Sequence, residues 1–367
     1  MNKCVIASDS FKGTLSSREI AELFEKEFKK FFPAVRLEKV VLGDGGENTL
    51  EVFANAFPLG KYVECSVTGP NFQHISSRYY TYDDVAVIEL AEASGLSITT
   101  TCNPLKTTTY GVGELIKDAY KKGYKKFYIA LGGSSTNDGG CGLLSAIGIK
   151  FFDSQNKEFI PTGGTLSNII DIDAGNMIAK DAAFAILSDV TCPMFGSNGA
   201  AYVFAKQKGA FDDEIKLLDK NLKYLNQLFI KTSGKDVSKV PGSGAAGATS
   251  SGMLAFLNAK IVSGIETILD LIKFDDIIKE SDYVFTGEGK LDSQSFSGKL
   301  ISGVLNRTKK QNIRTICVCG KNDLKDIPQG TFYKVVSTKI DGLTFNQIKK
   351  KASNLYLEAV REVFKQL

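Results

Sequence analysis

Apolar positions along the chain change period several times, and the changes mark out its elements. Cys4-Val5-Ile6-Ala7 is a short continuous apolar run with the length and branching of a buried strand. In EIAELFEKEFKKFF, residues Ile20, Leu23, Phe24, Phe28 and Phe31 share one helical face. Ser16 or Ser17 supplies an N-cap, Glu19 sits in the first turn, and Pro33 closes the segment. LEKVVLGDGG then predicts a strand running into a glycine loop, and NTLEVFANAF a second helix. Between 61 and 92 the pattern shortens to KYVECSV, SSRYYTYDD and VAVIELA, which read as antiparallel or mixed strands.

Helix GVGELIKDAYKK precedes strand KKFYIAL, loop GGSSTNDGG and helix CGLLSAIGI. AFAILSDV, the amphipathic DDEIKLLDKNLKYLNQLFIK and the small-residue PGSGAAGATSSG follow. The tail returns to alternation in DDIIKES, DYVFTGEG, FSGKLISGVLNRTKKQN and RTICVCG. Strand-helix alternation predicts a parallel sheet with crossover helices. The expected fold is α/β, with a Rossmann-like parallel-sheet domain formed by both chain ends, 1–61 and 266–367. A second α/β domain, 62–265, is inserted in the middle, and the active site is expected in the cleft between them.

Composition narrows the function. A net charge of +4 over 367 residues implies no nucleic-acid partner, and the scattered lysine pairs read as solvated faces. His74 is the single histidine, which argues against a histidine zinc site or a Ser-His-Asp triad, and it is assigned a structural role. Any general base must be Asp, Glu or Lys. Seven scattered cysteines fit reduced thiols, with Cys317 and Cys319 on one strand face. No apolar run approaches the roughly 20 residues that span a bilayer. The opening reads directly as a strand, so the expectation is a cytoplasmic protein without a signal peptide or membrane partner. Assembly into a homo-oligomer is left open.

Four glycine-rich loops carrying acids follow strands: DSFKG (9–13), GDGGE (43–47), GGSSTNDGG (132–140) and TGEGKLD (286–292). Glycine lets backbone N–H groups approach phosphates, while carboxylates hold a divalent metal or accept a substrate proton. Walker A, the protein-kinase loop with its H-R-D partner, and an N-terminal G-x-G-x-x-G are all absent.

SDSFKGTLSS, LGDGGENT and IALGGSSTNDGGCGLLSAIGIKFFD, with TTYGVGELI, VFAKQKGA, GSGAAGA and VFTGEGKLDSQSFSGK, resemble the blocks of the type I glycerate kinase family in the family's order. Ser8 stands where that family usually has Pro, Gly43 for Ala, Asn48 for Gly, and Ala205-Lys206 for Gly-Pro. Cys192 and Ala248 also differ, standing for the common Asn and Gly. All flank the acids and lysines rather than replace them. The resemblance implies ATP, a divalent metal taken as Mg²⁺, glycerate as substrate, and phosphorylation at the C2 hydroxyl. Kinase action at C3 or on another small hydroxy acid, and a non-catalytic sensor of nucleotides or sugar acids, are the alternatives.

Phosphoryl transfer needs neutralised phosphates, a metal bridge and an aligned hydroxyl. Lys12, Asp9, Asp44 and Asp189 are the catalytic candidates, with Asp189 the leading base. Ser134, Ser135, Thr136, Asp138 and Arg78 are candidates for holding substrate. Asp138 as N-cap of the following helix and Arg78 as a strand residue facing water are the structural readings. Gly45, Gly46, Gly287, Glu288 and Lys290 are assigned to nucleotide, and Asp292 with Asp44 to metal.

Overall fold

The computed structural model describes residues 1–11, 13–43, 45–46, 48–296, 300–324 and 330–367. Its two main sheets use, in chain order, strands β1 (Lys3–Ser8), β2 (Arg36–Val41), β3 (Lys61–Thr68), β4 (His74–Tyr82), β5 (Val85–Glu89), β6 (Lys126–Ala130), β7 (Ala183–Leu187), β8 (Lys260–Val262), β9 (Tyr283–Thr286), β10 (Arg314–Cys319) and β11 (Lys334–Ser337). The chain separates into two compact units, Met1–Asp44 with Ile265–Leu367, and Gly45–Gly264.

The unit made from the chain ends holds a wholly parallel sheet in the order β11-β10-β9-β1-β2. Strand β1 is buried because KCVIAS pairs on both sides, with Ile6 between Phe285 and Lys39. Helix Ser17–Phe31 begins at a capping box, in which the Ser16 hydroxyl accepts from the Glu19 amide while Glu19 accepts from the Ser16 amide at 2.7 Å. Ile20, Phe24 and Phe28 of its stripe are buried, whereas Phe31 reaches the surface at the helix end. Phe24 packs 4.7 Å from Phe285 and 5.2 Å from Phe364 of the C-terminal helix Phe345–Phe364. Cys317 and Cys319 lie together in a small cluster with Leu291, Ile301 and Leu305.

In the other unit the sheet runs β8-β7-β6-β5-β4-β3. Strands β5 to β8 are parallel, and β4 and β3 add antiparallel edges. Ile88, Ile129 and Ile186 meet Leu115, Leu143, Leu225 and Phe229 from the helices in one core. Helix Thr49–Ala56, which the sequence pattern groups with the N-terminal segment, clusters with this unit. Phe53 lies 5.6 Å from Tyr128 and 6.0 Å from Tyr82, and the Glu89 carboxylate accepts from the amides of Asn48 and Leu50. Among the described residues no helix is long and apolar enough to cross a membrane.

One ion pair ties the first helix to the last. Glu27, 3% exposed, accepts from Arg361 Nε at 2.7 Å and Nη2 at 3.2 Å, and from Lys30 at 2.8 Å. These hydrogen bonds, chiefly that of Arg361, hold the carboxyl at about 2, below its ordinary 4.5. A lowered folded value means stability that is present above the unfolded value and lost as pH falls toward the folded one. Glu27→Gln is expected to cost about 1–3 kcal/mol at pH 7. Its deficit against the parent, followed by thermal unfolding, shrinks as pH falls from 4.5 toward 2. A deficit that holds constant through that window contradicts the account.

Candidate active site

Counted along its own strands, the chain-end sheet has the order 2-1-3-4-5, and the connections leave β1 and β9 in opposite directions. Ligands of such sheets sit outside the carboxyl ends of the strands where that direction reverses. Asp9 follows β1 there, and Gly287 to Lys290 follow β9. The Asp9 amide donates to the Gly287 carbonyl at 2.9 Å, and the Ser8 hydroxyl donates to the same oxygen at 3.1 Å. A Cβ on Gly287 would lie 1.9 Å from the Val318 carbonyl, so only glycine lets this loop approach β10.

A cavity of about 490 Å³ opens at this point. Asp9, Ser10, Glu288, Lys290, Asp292 and Lys321 form its polar part, and Phe11, Ile340, Phe345, Ile348 and Leu355 an apolar wall. Lys290 lies 3.1 Å from Asp323 and 3.5 Å from Asp292, and these carboxylates, Asp323 first, raise its pKa. Lys12 and Asp44 lie outside the described residues.

In the second unit, the carboxyl ends of β5 to β8 gather Glu89, Gly132-Gly133, Asp189 and Gly264. Gly45 rests on Leu187, where a Cβ would come 2.9 Å from its carbonyl oxygen. The Gly46 carbonyl accepts from the Thr49 hydroxyl at 2.7 Å. Half-buried Asp189 accepts from the Gly264 amide at 3.1 Å, joining the ends of β7 and β8. Glu89 did not figure in the sequence reading. Its signal was an acid closing VAVIE, a strand buried along its whole length.

Loop 132–140 is built around Asp138, which is fully buried. Its carboxylate accepts from the Thr109 amide and hydroxyl, both at 2.8 Å, and from the amides of Gly140 and Gly142. Burial pushes its pKa up against the pull of these donors. Asp138 thus caps helix Cys141–Ala146 and anchors the start of helix Tyr110–Lys121. Ser135 donates to the Ser94 carbonyl, while the Ser134 and Thr136 hydroxyls lie 3.0 Å apart. Lys208, a second residue the sequence reading passed over, donates to the Thr136 carbonyl at 2.7 Å. Its signal lay in VFAKQKGA, where a lysine precedes a tight glycine turn. Arg78 is engaged elsewhere, 3.2 Å from Glu92 and stacked 4.6 Å over Tyr62.

The small-residue segment closes on this loop. Gly247 takes φ +65°, and a Cβ there would fall 2.0 Å from the Thr136 carbonyl. The Gly247 carbonyl accepts from the Gly139 amide at 3.1 Å.

One parallel and one largely parallel sheet, with acids and glycine loops collected at the carboxyl ends of their strands, define an α/β protein. The sequence pattern of the glycerate kinase family matches residues 4–367. A Bacillus cereus protein named glycerate kinase is 40% identical over 87% of this chain and 85% of its own length. An Escherichia coli K12 protein named glycerate 2-kinase is 39% identical over the same shares. The crystal structure of a Salmonella typhimurium LT2 protein, named as a candidate glycerate kinase 2, superposes with a TM-score of 0.84 at 34% identity, covering 100% of this chain and 98% of that one. The chain belongs to the glycerate kinase family, phosphotransferases with an alcohol group as acceptor.

Gly247→Ala places a methyl against backbone at a left-handed position. It is expected to lower stability by more than about 2 kcal/mol, read as a lowered thermal midpoint. A midpoint equal to the parent's would show that the 245–248 turn relaxes freely.

Proposed function

We propose that the chain transfers the γ-phosphoryl group of ATP to the C2 hydroxyl of glycerate, giving 2-phosphoglycerate. Family membership over residues 4–367 supports the reaction, and the 39% identity to a protein named glycerate 2-kinase favours C2.

The cavity beside β1 and β9 is the seat we assign to the nucleotide. Its volume and apolar wall suit a purine nucleoside, whereas a three-carbon acid would leave most of that wall uncovered. Gly287 admits the phosphates to the strand ends, and Glu288 and Lys290 flank them; Gly45 and Gly46 remain candidates for nucleotide binding. Asp9, Glu288 and Asp292 are hard oxygen donors. Among the described residues no cluster of three or more His, Cys, Asp or Glu side chains could hold a metal alone. Mg²⁺ takes one or two carboxylates and completes its shell with phosphate and water. Bound there, the metal would neutralise charge on the transferred group. Lys12 remains a catalytic candidate that would bind phosphate or the substrate carboxylate, and Asp44 a candidate for the metal.

On the second unit, Asp189 is the proposed base, held at its strand end by the Gly264 amide. Ser134 and Thr136 offer hydroxyls to the substrate.

Purified protein with ATP and Mg²⁺ is expected to release ADP only when glycerate is added. The product should be accepted by enolase directly; a requirement for phosphoglycerate mutase would place the reaction at C3. Equal ADP release without acceptor would indicate an ATPase, and no release with any hydroxy acid a sensor. Asp189→Asn is expected to lower kcat by about 100-fold or more while the KM for ATP holds. A kcat near the parent's would remove Asp189 from the role of base.

A further inference from the structure

Lys208 lies in the interior of the second unit, 2% exposed, on a short turn before Gly209. Its ammonium donates to the Thr136 carbonyl at 2.7 Å and stands 3.5 Å from the Ser134 hydroxyl. Among the described residues no carboxylate comes within ion-pair distance of it. Asp138, the acid that acts on it most strongly, spends its oxygens on Thr109, Gly140 and Gly142. Asn137, next in the chain after Thr136, is fully buried, and neither its amide nitrogen nor its carbonyl oxygen has a hydrogen-bond partner. Lys208, without a counter-charge, and Asn137, without a hydrogen-bond partner, are therefore both buried next to Thr136, the one bonded to its carbonyl and the other following it in the chain. An unpaired interior ammonium and an unmet carboxamide both cost stability. A chain that keeps them together reserves them for a ligand that supplies what is missing.

We infer that Lys208 and Asn137, with the Ser134 hydroxyl, form the seat of the substrate carboxylate. The inference rests on the glycerate reading above. An ammonium supplies the counter-charge, the Asn137 amide nitrogen donates to a carboxylate oxygen, and its carbonyl oxygen accepts from a neighbouring hydroxyl. A 2-hydroxy acid carries those two groups on adjacent carbons. Ser134, 6% exposed beside half-buried Gly132 and Gly133, is the side from which an acid enters.

Titration offers a separate readout. Burial pulls Lys208 down to about 8, against the opposing pull of Asp138 and Cys192. Burial keeps the Cys192 thiol near 11, so it stays uncharged where Lys208 titrates. Acid binding that needs the ammonium weakens as pH rises above about 8. An arginine, charged throughout, removes that dependence.

The experiment compares the parent protein with Lys208→Met, Lys208→Arg and Asn137→Ala by thermal unfolding with and without glycerate and by steady-state kinetics. Lys208→Met should unfold at the parent's midpoint or higher, since a buried unpaired charge is removed. It should lose the upward midpoint shift that glycerate produces and raise the KM for glycerate at least about tenfold, with the KM for ATP within about twofold. Asn137→Ala should move the glycerate KM several-fold in the same direction. Lys208→Arg should abolish the alkaline loss of glycerate affinity. A lower midpoint in Lys208→Met with an unchanged glycerate KM would make Lys208 a clamp on the Thr136 loop and overturn the inference. A rise confined to the KM for ATP would assign the seat to a nucleotide phosphate instead, with the same consequence. Should the parent itself neither bind glycerate nor release ADP with it, the glycerate reading fails and this one with it.

Discussion

The pairing of β1 with β9 is the constraint on which the chain-end unit depends. Cys4, Val5 and Ile6 lie in register with Tyr283, Val284 and Phe285, joining segments separated by about three-quarters of the chain. Such a contact closes a very long loop, and loop-closure entropy opposes it until packing compensates. Here the compensation is aromatic. Phe24 and Phe28 from the first helix, Phe285 from β9 and Phe364 from the last helix meet with centroids 4.7 to 6.5 Å apart. The Glu27–Arg361 pair adds direction to an otherwise non-directional cluster. Once β1 lies between β2 and β9, the reversal in sheet order and the crevice beside Asp9 follow from topology alone.

In the second unit the governing condition is close backbone approach. Gly45 against Leu187, Gly140 against Thr249 and Gly247 against Thr136 each occupy space that a side chain would deny. Loops folded this tightly bury their own polar groups, which must then find partners. Asp138 meets four donors and Ser135 bonds to Ser94, so most of the GGSSTND loop is satisfied internally. Lys208 and Asn137 are where that internal accounting stops.

The two units divide the chemistry unevenly. The chain-end cavity is roomy, partly apolar and rimmed by exposed or half-buried charges, as a nucleotide seat would be. Loop 132–140 is buried from Ser134 to Gly140, and it is where we place the compact acid. Desolvation strengthens every electrostatic interaction in such a place, which is why a single buried ammonium there carries weight.

Much of this was legible in the sequence, because it depends on local periodicity and backbone chemistry. The stripe from Ile20 to Phe28, the Ser16–Glu19 capping box, the apolar strands KCVIAS and VAVIE, and the strand-helix alternation at both ends are short-range patterns. The blocks that resemble the family are local as well, so family and reaction class could be read directly. Strand neighbours, the partner of Arg78, the bonds of Asp138 to Thr109 and the membership of helix Thr49–Ala56 were set by contacts between distant segments. Glu89 and Lys208 were hidden for the same reason. An acid closing a strand and a lysine before a glycine look ordinary until the fold removes the water around them, and burial is a property that only tertiary structure confers.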